Sequence, residues 1–199
     1  MTATAGPSDR TRIRRHPERA LELPEGALPV LAEGLVAHVA FSQDGQPFVL
    51  PFTYLYTDGC IYLHGAPASR TIRGLRAGAP VCIEVTLLDA LIASRTAEYH
   101  SINYRSVVCF GTARVVRDTE KKRRVLETLI GRYFPGRAAG VDYAAITDKE
   151  LKATELCEVE IDEMSAKARA GPPMGPLDAD SGAAGNAGIV PLPSGARAV

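Results

Sequence analysis

Tryptophan is absent from this chain, and aromatic residues of all kinds make up only 6% of its 199 positions. Any core it builds rests on aliphatic and small side chains. Excess charge is absent too: 23 Lys and Arg stand against 23 Asp and Glu. A general nucleic-acid binder shows a basic excess, so that class is disfavoured and no nucleic-acid partner is expected. The four cysteines, Cys60, Cys82, Cys109 and Cys157, are far apart, each in an apolar stretch. Without a CxxC or a Cys/His cluster, neither a zinc site nor a disulfide framework is supported, and buried free thiols suit a reducing compartment. Long apolar runs are missing: residues 35–41 are interrupted by His38 and are too short to span a bilayer. Residues 1–15 carry only scattered Ala3, Ala5 and Ile13, so no secretory leader is expected. There is no Ser-His-Asp spacing and no nucleophile elbow. The expectation is a cytoplasmic domain with no membrane partner.

What is present divides into three segments. Residues 1–15 are polar and basic and read as a flexible arm. Residues 171–199 hold six Gly and five Pro in 29 positions, a composition that favours neither helix nor ladder. Its one apolar cluster, residues 189–193, suits docking on a neighbour. Residues 16–170 are the folded domain. There the period-2 signal dominates. Leu35, Ala37, Val39 and Phe41 alternate with Val36, His38, Ala40 and Ser42, and an Asp44-Gly45 turn follows. The next strand, residues 47–56, meets a second turn at Asp58-Gly59, and the third covers residues 60–64, which together read as an antiparallel meander.

Ser69 is a plausible N-cap for a short helix with Ile72 and Leu75 on its inner face. Strands resume over residues 80–88 and 104–116. Val107, Cys109, Gly111, Ala113 and Val115 give the latter a small apolar face suited to a closed barrel. Residues 118–134 are the clearest helix, with Val125, Leu126, Leu129, Ile130 and Tyr133 along one side. A short helix over residues 147–153 precedes a last strand in which Cys157, Val159 and Ile161 alternate with Glu158, Glu160 and Asp162. The sum is a mainly β, antiparallel, six-stranded split β-barrel of Greek-key type with flanking helices.

Two stretches carry chemistry. In residues 62–71 a strand ends at His64, a Gly/Pro loop follows, and a helix opens with Ser69 and Arg70. A helix N-terminus favours a phosphate, and Arg70 adds a planar two-pronged donor; an ordinary N-cap beside a solvated arginine fits the same residues. In residues 100–108, Arg105 starts on the parity of an apolar strand face, an expensive place for an unpaired charge. A bound anion, a partner carboxylate, or a hydrated position beyond the barrel rim would each account for it. His38 reads as a hydrogen-bonded core histidine, His16 and His100 as solvated, and the basic run 121–124 as the wet side of its helix.

The run from Gly45 through Val49-Leu50-Pro51-Phe52 to Ile61-Tyr62-Leu63-His64 and Ser69-Arg70 resembles the flavin-nucleotide-binding, nitroimidazole-reductase-like branch of the pyridoxamine 5'-phosphate oxidase-like split-barrel family. Asn103 to Gly111 resembles that branch's second signature. The resemblance implies FMN as cofactor. Val49, Leu50, Pro51 and Phe52 would lie along the isoalloxazine ring, with His64, Ser69 and Arg70 around the phosphate. Tyr104, Arg105 and Ser106 would reach toward ring or phosphate. It also implies a homodimer with the cofactor between chains. The arginine and lysine that true pyridoxamine-phosphate oxidases place on the ring strand are replaced here by Val49 and Phe52, so vitamin B6 oxidation is not expected. The leading expectation is therefore an FMN-dependent oxidoreductase acting on a small molecule by hydride transfer, with no catalytic side chain named. The alternative is a non-catalytic flavin- or haem-binding barrel, with His64 or His38 as the axial ligand.

Overall fold

The computed structural model describes residues 8–192. The first seven residues of the basic arm, and the tail from Pro193 onward, lie outside the described residues. The chain forms two compact units. One contains Leu35–Glu84 and Val108–Met164. The other contains the described residues up to Gly34, Val85–Val107, and those from Ser165 onward.

In the first of these, β1 (Ala37–Gln43) and β2 (Gln46–Phe52) form a hairpin around Asp44 and Gly45. Both turn residues have positive φ, 52° and 77°, the backbone that a two-residue hairpin needs to match strand twist. The turn sets the register, Gln43 opposite Gln46 and then Phe41 opposite Phe48 and His38 opposite Pro51. Asp58 and Gly59, at 52° and 76°, repeat the device between β3 (Leu55–Thr57) and β4 (Cys60–Gly65). The expected strand over residues 47–56 is thus broken in two, and the two halves take different partners. β2 pairs with β1 and β3 with β4, at opposite ends of the strand order β2-β1-β5-β6-β7-β4-β3.

The remaining elements are α1 (Leu28–Glu33), α2 (Arg70–Arg76), β5 (Pro80–Ala93), β6 (Ser101–Val115), α3 (Thr119–Tyr133), α4 (Asp148–Ala153), β7 (Glu155–Arg169) and β8 (Gly188–Pro191). Among the described residues there are eight strands rather than six. The two additions are the split of the second strand and the short β8. If β2 and β3 are taken as one bent strand, β5 returns by way of α2 to lie beside β1, which is the 4-1-2-3 order of a Greek key. This is the Greek-key type expected from the sequence, and the expected meander is its first three strands.

The bend sits at Thr53 and Tyr54. Tyr54 is fully buried, so its backbone groups need partners there. The hydroxyl of Tyr133, in the last turn of α3, supplies them. It accepts from Tyr54 N–H at 2.9 Å and lies 2.6 Å from the Leu35 carbonyl, to which it donates. Arg132 stacks over the Tyr54 ring at 5.0 Å. Asp118 starts α3 by accepting from the backbone of Glu120 and Lys121 at 2.9 and 3.0 Å. The helix then buries Val125, Leu126 and Leu129 with Leu55, Tyr62, Val116, Leu151 and Leu156. Val107, Cys109 and Ala113 are buried on the expected face of β6. Gly111 between them must be glycine, because a Cβ there would stand 2.1 Å from the Glu160 carbonyl of β7.

In the other unit, α1 buries Val30 and Leu31. β8 pairs antiparallel with β5, Val190 opposite Leu91. The composition of residues 171–192 predicts a segment without anchors, but the structure supplies two. One is this ladder. The other is Asp178, which accepts from Ser94 Oγ at 2.9 Å, Arg95 N–H at 2.7 Å and Gly175 N–H at 2.6 Å. The burial of the carboxylate would raise its pKa, but these donors prevail and hold it below the usual range.

Replacing Tyr133 by Phe keeps the ring and removes the hydroxyl's bonds to Tyr54 N–H and the Leu35 carbonyl. Urea unfolding should show a loss of about 1–3 kcal/mol with an unchanged m-value.

Candidate cofactor site

The residues that sequence reasoning selected fall into two groups, one in each unit. Val49, Leu50, Pro51, Phe52, His64, Ser69 and Arg70 belong to the barrel unit, and Tyr104, Arg105 and Ser106 to the other.

The barrel group is built on β2, the end of β4 and the start of α2. A two-residue turn makes its flanking pair, Gln43 and Gln46, hydrogen-bonded, and alternation then directs the backbone of Phe48, Leu50 and Phe52 toward β1. Pro47, Val49 and Pro51 have the other parity. Their backbone faces the side of β2 on which no described strand pairs. Two of the three lack an N–H. The open side of β2 therefore offers the N–H and C=O of Val49 between two positions without donors. The Val49 side chain is 63% exposed.

Ser69 caps α2 as expected, its hydroxyl accepting from Ile72 N–H at 3.2 Å, and Ile72 and Leu75 are fully buried. This brings Arg70 over the ring of Phe48, 4.5 Å from its centroid, and so joins the helix start to β2. Phe48 itself stacks on Phe41 across the hairpin at 5.7 Å. Sequence reasoning passed over Phe48. Its signal was present, since Phe41 and Phe48 stand equally far from the Asp44-Gly45 turn and must face each other. No carboxylate among the described residues pairs with Arg70.

His64, next to last in β4, stands opposite Leu156. Its Nδ1 is buried without a hydrogen-bond partner, and burial lowers its pKa, favouring the neutral ring. Two of the four thiols are inert. Burial pushes Cys109 up to about 12 and Cys157 up to about 11, so neither is a thiolate near neutral pH.

In the other unit, Arg105 is tied by two carboxylates. Its Nε and Nη2 donate to Asp89 at 3.1 and 2.8 Å, and Nη1 and Nη2 to Glu33 at 2.6 and 3.1 Å. Of the three accounts of its apolar parity, the partner carboxylate is the one found, and these pairs raise its already high pKa. Ser106 donates to the Lys167 carbonyl at 3.4 Å. Tyr104, between Asn103 and Arg105 on β6, is half-buried.

A Greek-key barrel whose second strand is left open along one side defines a split β-barrel protein. The chain belongs to the pyridoxamine 5'-phosphate oxidase family, whose model matches residues 24–168. Among solved structures it is similar to the flavocytochrome Anf3 of Azotobacter vinelandii, with 31% identity and a TM-score of 0.83, covering 94% of this chain and 86% of that one. It is also similar to an FAD- and haem-binding protein of Mycobacterium smegmatis, with 34% identity and a TM-score of 0.78, covering 87% and 84%. A protein of Bacteroides thetaiotaomicron, proposed to confer 5-nitroimidazole antibiotic resistance, shares the fold at 22% identity and a TM-score of 0.63, covering 75% and 86%. No curated protein matches the sequence. No helix among the described residues is long and apolar enough to cross a membrane.

The buried state of His64 has a pH consequence. Its folded pKa lies below the ordinary imidazole value of 6.5, so the folded state holds fewer protons there than the unfolded chain. The stability this contributes is fully present above pH 6.5 and is lost as pH falls from 6.5 through the folded value. Denaturant unfolding of His64→Gln should show a shallower decline between pH 7 and 5 than wild type.

Proposed function

We propose that the chain is a flavin-dependent oxidoreductase that binds its cofactor along the open side of β2, with the phosphate at Arg70. The observation that carries this reading is the combination of a guanidinium on Phe48, with no carboxylate partner among the described residues, and a strand side that offers one donor and one acceptor to a planar ligand. The flavin supplies two-electron hydride chemistry when bound. The residues supply its place: Val49 backbone for the ring's polar atoms, and Ser69 and Arg70 for the phosphate end. Arg105 is a poorer phosphate ligand, because its donors already serve Asp89 and Glu33. The family resemblance favours FMN and the Mycobacterium smegmatis relative is an FAD-binding protein, and both nucleotides carry the phosphate that Arg70 would meet. A C2 homodimer is part of the proposal, and light scattering of the flavin-loaded protein at micromolar concentration should give twice the chain mass.

A second cofactor is favoured by a separate observation. Those same two relatives are a flavocytochrome and an FAD- and haem-binding protein. His64 here is a neutral imidazole with an orphaned buried nitrogen, which suits a haem iron ligand. His38 is the weaker choice, since its Nδ1 lies 3.3 Å from Glu84. Mass spectrometry of whatever denaturation releases identifies FMN, FAD and haem directly, and a Soret band that is lost in His64→Gln with flavin retained supports this second reading.

Arg70→Ala tests the phosphate site. A charge-assisted hydrogen bond contributes roughly 1.5–3 kcal/mol, so FMN affinity should fall on the order of tenfold to a hundredfold. Riboflavin, which has no phosphate, should bind mutant and wild type alike. Titration calorimetry with both ligands measures the difference, and an unchanged preference for FMN would rule Arg70 out.

A further inference from the structure

Phe41 of β1 and Phe48 of β2 stand opposite each other in the hairpin. Their ring centroids are 5.7 Å apart and their planes differ by 26°. Phe41 is buried and Phe48 half-buried, so the pair presents one inner and one outer ring. Helix α2 rests on both. Its Gly74 lies so close to the inner ring that a Cβ there would stand 2.9 Å from Phe41 Cε2. Arg70 is four positions earlier, hence on the same side of the helix and one turn nearer its start. Its guanidinium carbon lies 4.5 Å from the centre of the outer ring. Two successive turns of one helix therefore meet the two members of one cross-strand pair, and the absence of a side chain at Gly74 is what permits the approach.

This contact has a consequence for ligand binding. A long, exposed arginine loses rotamer freedom when a ligand fixes it. A neighbour that already holds the side chain lowers that cost, but the kind of neighbour matters. Carboxylates hold Arg105 by accepting from its Nε, Nη1 and Nη2 atoms, and so occupy the donors and cancel the charge. An aromatic ring attracts the guanidinium through its face and accepts none of the in-plane N–H groups. Arg70 on Phe48 is thus restrained with its donors and its charge intact.

We propose that Phe48 is the positioning residue of the phosphate site: it contributes to nucleotide affinity by restraining Arg70, and makes no contribution to binding the rest of the flavin. The inference rests on the flavin reading above and extends it to a side chain that meets no ligand itself. Phe41 and Gly74 set the height of the helix on the sheet, and Phe48 sets the guanidinium.

The experiment is a double-mutant cycle on the full chain, stripped of flavin and titrated calorimetrically with FMN and with riboflavin. Phe48→Leu keeps an apolar side chain and removes the ring. It should lower FMN affinity about two- to fivefold, the range of a cation–π contact near the surface, and leave riboflavin affinity unchanged. Phe48→Tyr, which restores a ring face, should bind FMN as wild type does. In an Arg70→Ala background, Phe48→Leu should cost FMN nothing further, because the group it acts through is gone. Equal losses for FMN and riboflavin would mean that Phe48 merely supports the fold, and would overturn the proposal. So would an unchanged FMN affinity in Phe48→Leu, or a loss that persists in the Arg70→Ala background. Should Phe48→Leu fail to fold, Phe48→Met carries the same expectations. Failure of the underlying reading looks different: a wild type that binds neither flavin, or an Arg70→Ala protein with undiminished preference for FMN, removes the phosphate site and this inference with it. A selective FMN loss in Arg70→Ala with none in Phe48→Leu leaves the site standing and overturns the role of Phe48 alone.

Discussion

The phenolic hydroxyl of Tyr133 holds the point on which the barrel turns. A strand that stays straight between Gln46 and Thr57 runs beside the same neighbours along its whole length. Bending it at Tyr54 lets its first half continue the β1 ladder and its second half join β4, so one segment serves both ends of the strand order. The bend interrupts the ladder in a buried place, where an unpaired amide costs about 1–3 kcal/mol. One hydroxyl, delivered by the last turn of α3, answers both the Tyr54 amide and the Leu35 carbonyl. The helix in turn is positioned by the residues it buries against Leu55 and Tyr62. The closing of the barrel and the docking of its longest helix are therefore one event.

Much of this was legible in the residues because it rests on local rules. The two Asp-Gly turns, the Ser69 cap, the parity of Val107 to Ala113 and the apolar stripe of α3 each follow from a few neighbouring positions, and each is found where expected. The break at Tyr54 was not legible. Thr53 and Tyr54 have good strand propensity, and what interrupts them is a hydroxyl 79 positions away. The same limit applies to the tail. Gly and Pro composition describes what residues 171–192 do in isolation, but Asp178 and the β8 ladder are long-range contacts that composition does not contain.

For the candidate site the division is similar. That Ser69 begins a helix and that Arg70 follows it are local facts. That Arg70 lies on Phe48, and that Arg105 is tied by two carboxylates 72 and 16 positions away, are facts of tertiary structure. The contrast between the two arginines comes from what each meets. Arg105 carries two fixed counter-charges. Arg70 has an aromatic face, which holds a guanidinium in orientation while leaving its in-plane donors available.

The prolines of β2 bear on the behaviour of the protein at high concentration. An exposed sheet margin is the usual seed of edge-to-edge association, because an incoming strand finds a donor at every second residue, roughly every 7 Å. Along β2 such a strand finds the amide of Val49 and, on either side of it, a pyrrolidine ring. A continuous ladder cannot propagate past either one, whereas a single planar molecule needs no more than the one amide. The margin can therefore stay uncovered without becoming a template for fibrils, and replacing Pro47 or Pro51 by a β-branched residue would extend the ladder and make that margin aggregation-prone.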